Sequence, residues 1–492
     1  MKVLLKVSPL LSFLSGLLLM GCAAQPQAPD RSCVQTPRIY PDYAGVTFPL
    51  NIAPPSFRIE LEGEAYQTEI GCEGSPASLL IREDTPEVRI PMDDWKALLQ
   101  EAAGRSLYFR ITVKQQGEWV RYADIRDSVA AHPIDPFLAY RLLYPGYELW
   151  NEMGIYQRDL TTYAQSAIAD NRNFGKQCVN CHTFNRQSPD EMMLHIRGPQ
   201  GGTLVVCNGQ VEKVNPKPQA FKHGATYPAW HPSGKYLAFS TNEIQQFFHS
   251  AGRKAIEVSD LGADLMVYDV ERHEAMTDSL VYGTDYMETF PTWAPDGKHL
   301  YFCRAKGYRQ GMPLDSIRYD LYRIQFDEAA GRLHGLECVY KASAQQKSVS
   351  FPRISPDGRY LMFTRSDYGN FSIWHKESDL YLLDLQQGTV RPIEEINSDD
   401  VDSYHTWSST GQWVVFSSKR LDGLWARPHF AAFDPATGRF GKAFVLPQEE
   451  ADFYDHFTYT YNLPELLLRP VTVQQELLDA IGQTPHPTQM RP

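Results

Sequence analysis

Two cysteines and a histidine stand together as "CVNCH" at residues 178 to 182. A thiol, two spacer residues, a second thiol and an adjacent imidazole form the layout that attaches a c-type haem. The thiols add across the two vinyl groups, and the histidine takes the iron as proximal axial ligand. With 8 Cys and 14 His in 492 residues, composition alone yields about 0.004 such matches per chain, so the pattern is informative. Three other chemistries use the same residue types. A zinc site wants a second Cys or His pair at matching spacing, and none is evident. A redox dithiol wants a strand-to-helix turn around it, whereas this segment feeds a run of strands. A disulfide across two residues would be strained. The residues therefore read first as one covalent haem c on Cys178 and Cys181 with His182 on the iron, with the dithiol and the metal or structural readings behind it.

The elements that must hold this motif are read from an internal repeat. "YPAWHPSGKYLAFS", "FPTWAPDGKHLYFC", "FPRISPDGRYLMFT" and "YHTWSSTGQWVVFS" begin at Tyr227, Phe290, Phe351 and Tyr404, spaced 63, 61 and 53 residues apart. Each is an aromatic, a short strand, a Gly-containing turn and an alternating strand, and each is followed by a second strand pair. Four-stranded repeats of this length are propeller blades. A degenerate copy, "FNRQSPDEMMLHIRG", aligns SPD over SPD from Phe184. It starts a first blade at about residue 183, directly after CVNCH. A sixth blade would be completed by the tail around "DFYDHFTYTYNLPEL" or by an earlier strand. The expected fold class is mainly β: a five- or six-bladed propeller over 178–450 with a tail over 451–492. Before it come a small β-sandwich-like domain over 35–134 and a helical connector over 135–177. One helix is expected inside the first domain at "MDDWKALLQEAAG".

The repeat also locates groups for the far side of the iron. His405 fills the slot held by Pro228, Pro291 and Pro352 in the other copies, and His223 lies just before the second blade. These two are the distal candidates. Met192, Met193 and His195 are nearer in sequence, but their strand positions suit core packing, for methionine above all. His231, His299 and His456 rank lower. A sixth ligand would mark an electron carrier and an open position would permit ligand chemistry.

The first residues set the compartment. "MKVLLKVSPLLSFLSGLLLMGC" has two lysines, an apolar stretch and a small-residue end, the layout of an export signal over 1–21. Export places the chain in an oxidising space. Cys33 with Cys72 and Cys303 with Cys338 are then the expected disulfides, and the odd count leaves at least one thiol free. The net charge of -12, without a basic stripe, speaks against a nucleic-acid partner. Acidic pairs such as Asp399-Asp400 read as solvated loops. No nucleophile elbow, H-E-x-x-H or phosphate-binding glycine loop is present.

The four repeats resemble those of TolB-like proteins. CVNCH, together with "IYPDYAGVTFPLNIAPPSF", "YPGYELWNEMGIYQRDL" and "MMLHIRGPQGGTL", is similar to exported propeller proteins carrying a single c-type haem motif. The ending "LMGC" resembles a bacterial lipobox, which implies a lipid on Cys22 and a tether over 22–34. Taken together the resemblance implies a membrane-anchored, periplasm-facing, cytochrome-like lipoprotein. It would transfer electrons and use the propeller to dock an envelope redox or scaffold protein. A non-catalytic TolB-like binding scaffold, with structural haem or none, is the alternative. Either way the chain reads as an electron-transfer or binding protein before an enzyme.

Overall fold

The computed structural model describes residues 26–76, 78–144, 152–250, 254 and 256–491; the export signal and Cys22 lie outside them. The chain is mainly β, with six four-stranded blades arranged as a propeller. The first blade is built from Cys178–Asn185, Ser188–Arg197, Gly202–Cys207 and Gln210–Asn215. The next four run through Ala225–Met276, Tyr286–Tyr340, Ser348–Pro392 and Asp402–Phe440. The sixth closes the ring. Its innermost strand is Thr460–Leu467, paired to Phe137–Leu143, then Met153–Asp159 and Gln165–Asp170.

This corrects the helical connector expected over 135–177 and extends the propeller beyond 178–450 at both ends. "FLAYRLL" is an almost unbroken apolar run because both faces of that strand are covered, and such a run has no period to separate strand from helix. The first repeat also sits three residues earlier than expected. Its hairpin turn is Arg186-Gln187, both in the left-handed region (φ 48° and 59°), and Asn185 pairs with Ser188. SPD therefore opens the second strand, and Cys181-His182 aligns with Phe351-Pro352.

Residues 31–129 form a sandwich-like unit. A seven-stranded sheet, a three-stranded sheet and the helix Met92–Glu101 enclose Phe48, Phe57, Trp95 and Phe109. The expected tether is shorter than 22–34, since Arg31–Ser32 pairs along Glu118–Arg121. This unit shares its core with Trp413, Val415, Phe430 and Phe444 of the fifth blade and Tyr140 and Tyr461 of the sixth. It buttresses the seam at which the ring closes.

Neither expected disulfide forms, and all seven described cysteines are free. Cys303 and Cys338 lie on strands separated by the intervening strand Asp320–Asp327, so their Cα atoms are about 10 Å apart, beyond the reach of a disulfide. Cys33 and Cys72 are farther still, with two strands between their own.

Candidate functional site

The six innermost strands run in the same direction down the central channel, from an upper to a lower face. Each carries one non-glycine residue forced into the left-handed region by a bulge. These are Cys181 (φ 42°), Tyr227 (46°), Phe290 (52°), Phe351 (51°), Tyr404 (50°) and Leu463 (49°). That conformation costs of order 1–3 kcal/mol per residue and persists only where the surroundings impose it. The bulge turns all six side chains into the channel, where they make a collar. Ring centroids step from Tyr227 to Phe290 at 4.4 Å, to Phe351 at 4.0 Å and to Tyr404 at 4.5 Å. Leu463 and Cys181 complete it. The thiol of Cys181 thus takes the place of an aromatic ring.

The residue after each collar position lies one step further down. Four blades place Pro228, Pro291, Pro352 and Pro464 there; the first and fifth place His182 and His405. Both imidazoles are buried against the same cavity; each has one backbone neighbour in hydrogen-bonding reach, Leu463 for His182 and Met362 for His405, and a second nitrogen without a partner among the described residues. Burial holds both near pKa 3, so both are neutral at pH 7. A buried polar atom without a partner costs about 1–3 kcal/mol, which makes the second nitrogen of each ring conspicuous. A neutral imidazole with a free lone pair is the usual state of a metal ligand.

Below the histidines the channel becomes charged. Glu465, in the closing strand, accepts hydrogen bonds from Phe184 N and Thr183 Oγ1, both at 3.4 Å, and lies 3.8 Å from His182 Nε2. Burial pushes its carboxyl up to about 7 against the pull of nearby Arg353. Above the collar, Cys178 pairs across the sheet with Arg197, and burial raises its thiol against the pull of Arg141 and Arg197. Among the described residues neither guanidinium is ion-paired; Arg141 donates only to Asn462 Oδ1 at 3.4 Å. Cys178 therefore lies in a basic surrounding.

The structure brings Cys181, His182 and His405 to one cavity, with Cys178 at its rim. It does not bring His223 there. That side chain faces Glu243 at 3.4 Å in the groove between the first two blades. Met192 and Met193 are fully buried in two core clusters, and His195 bonds Thr203 Oγ1 at 2.7 Å. His231 bridges to Gly297 O, while His299 and His456 sit at the surface beside Asp296 and Asp452. The sequence reading missed Arg353 and Glu465. They share a slot with Thr183, Ala229, Thr292 and Thr406, so charge in a position otherwise small or polar was the available signal. It also missed Leu463-Pro464, the collar dipeptide of the closing strand.

No family model matches the chain. Over 266 residues it is 24% identical to an uncharacterized protein, Atu1656, of Agrobacterium fabrum, covering 46% of this chain and 79% of that one. Among solved structures, an oligogalacturonate lyase in complex with manganese has a TM-score of 0.35 at 12% identity, over 62% of this chain and 72% of that one. Hydrazine synthase of Kuenenia stuttgartiensis gives 0.29 at 16%, over 51% and 76%. A puromycin-hydrolyzing peptidase of Mycobacterium tuberculosis gives 0.36 at 12%, over 85% and 57%.

Proposed function

We propose that the chain is a lipid-anchored envelope protein that carries one c-type haem at the mouth of its propeller channel and passes single electrons to a docked partner. The observation that carries this is His182. It is a buried, neutral imidazole whose polar neighbours are the Leu463 backbone and, at 3.8 Å, Glu465, adjacent to a thiol that replaces a collar ring. The residues suit the group in kind. Cys178 and Cys181 would hold it through thioethers and His182 would meet the iron, with His405 the second imidazole on the same cavity. Arg141 and Arg197, which act on Cys178 and have no ion pair among the described residues, would suit the carboxylates of a porphyrin in charge. A haem bound there supplies one-electron redox chemistry. The chain's own contribution is a pocket in which the collar covers the histidines from the upper face and burial keeps them unprotonated.

Space sets a condition on this reading. The free volume between the collar and the histidines is about 30 Å³, about one water molecule. Holding a macrocycle beside Cys181 and His182 would require the collar residues that flank Cys181, Tyr227 and Leu463, to move aside. The closed collar is the specific observation favouring a second reading, in which the thiols stay free and the propeller is a binding scaffold for another envelope protein.

The two separate cleanly. Produced with haem-ligation machinery, the parent chain should stain for haem on a denaturing gel, and Cys178→Ala and Cys181→Ala should each lose the covalent stain. A haem-staining double variant lacking both thiols would overturn the assignment.

A further inference from the structure

A second cluster of ligating groups lies far from the channel, on the outer rim between the first and second blades. Glu212 comes from the outermost strand of the first blade, Gln210–Asn215. His273 comes from the turn before the outermost strand of the second, Glu274–Met276. His486 comes from the C-terminal strap. That strap crosses the seam. His486–Pro487 adds to the first blade beside Val214, and Gln489–Met490 adds to the second beside Glu274. The crossing is fixed by Thr488 Oγ1 donating to Asn215 O at 2.7 Å and Gln489 N donating to His273 O at 3.1 Å.

At the crossing, both histidine Nε2 atoms converge on one carboxylate oxygen. His273 Nε2 lies 3.5 Å and His486 Nε2 3.4 Å from Glu212 Oε1, and all three donor atoms lie within 4.8 Å of one another. The two imidazoles are stacked, with centroids 4.9 Å apart and planes within 7°, so a shared cation would turn one ring, that of His486 on the exposed strap, towards the common point. Ligands at about 2.0–2.1 Å from a tetrahedral cation are about 3.3–3.4 Å apart, close to the two N···O separations here. A further group orients the first ring: His273 Nδ1 is 2.8 Å from Tyr268 Oη, a largely buried phenol. With Nδ1–H donating to Tyr268 Oη, Nε2 of His273 carries the lone pair free to take a cation. This is the outer hydrogen bond that metal-bound histidines characteristically make.

We propose that Glu212, His273 and His486 form a binding site for a divalent transition cation of the zinc type, with one coordination position left to solvent. The three donors are far apart in sequence and belong to two blades and the strap, so a bound cation clamps the C-terminus across the seam. The site needs no haem and stands apart from the channel reading. A simple two-histidine ion pair with Glu212 would show the same distances but would not respond to a cation.

The test uses the full chain, freed of metal with a chelator and titrated with zinc chloride by calorimetry, beside His486→Ala. The substitution lies on an exposed strap, so the fold should survive it. Both proteins keep every thiol, so their difference isolates this site. The parent should bind one more equivalent than the variant, or bind it at least tenfold more tightly. Zinc should also protect the last residues of the parent, but not of the variant, from carboxypeptidase. Equal stoichiometry with affinities within tenfold would overturn the proposal. So would equal protection of the two tails.

Discussion

At the scale of single residues, the chemistry is set by burial. His182 and His405 are neutral because the channel excludes water, and Cys181 lines the channel because a bulge turns it there. His405 was legible in the sequence because the repeat alignment shows a histidine where the other copies have proline. His182 occupies the same slot, yet the match of SPD to SPD shifted its repeat by three residues and hid the equivalence. His223 looked close because it precedes a blade, but strand direction carries it out to the groove between blades. Titration of one further buried group is predictable. Asp260 is fully buried, with Asn370 Nδ2 at 2.5 Å and Tyr319 Oη at 3.3 Å, and burial lifts its carboxyl to about 7. Its folded pKa exceeds its unfolded one, so its contribution to stability is full below the ordinary carboxylate range and lost as pH rises through about 7. Asp260→Asn cannot ionise. Measured by urea denaturation, the stability of the variant relative to the parent should rise by about 2–3 kcal/mol from pH 5 to pH 8. A difference independent of pH would contradict the buried-acid account.

At the scale of elements, the propeller depends on strands that the sequence displayed unequally. Four blades announced themselves through aromatic, turn-glycine and alternating-strand spacing. The closing blade did not, because its innermost strand and its other three come from opposite ends of the chain. Its collar dipeptide, Leu463-Pro464, lacks an aromatic. The approach to that strand is pinned by Arg427, a fully buried guanidinium that donates to Phe457 O and Tyr459 O, both at 2.5 Å. Arg427→Met keeps the apolar bulk but leaves two part-buried carbonyls without their donor. It should cost about 1–3 kcal/mol in chemical denaturation, since the carbonyls are partly open to water. It should also speed amide exchange first in Thr460–Leu467. A loss below 1 kcal/mol would show that the closing strand is held by packing alone.

At the scale of the whole molecule, the sandwich-like unit and the closing blade share one core, so the N-terminal region supports the seam of the propeller. Placement of the molecule at a membrane rests on Cys22. Cys22→Ser should move the protein from the membrane fraction to the soluble envelope fraction after cell lysis, and unchanged membrane retention would remove the lipid-anchor reading.

The most direct measurement is a visible spectrum of the full chain, produced with haem-ligation machinery, taken oxidised and reduced and followed by a haem-stained denaturing gel. The account predicts a sharp reduced α-band and haem that survives denaturation. A colourless chain with free Cys178 and Cys181 thiols would contradict it and leave the propeller as a binding scaffold with a closed collar.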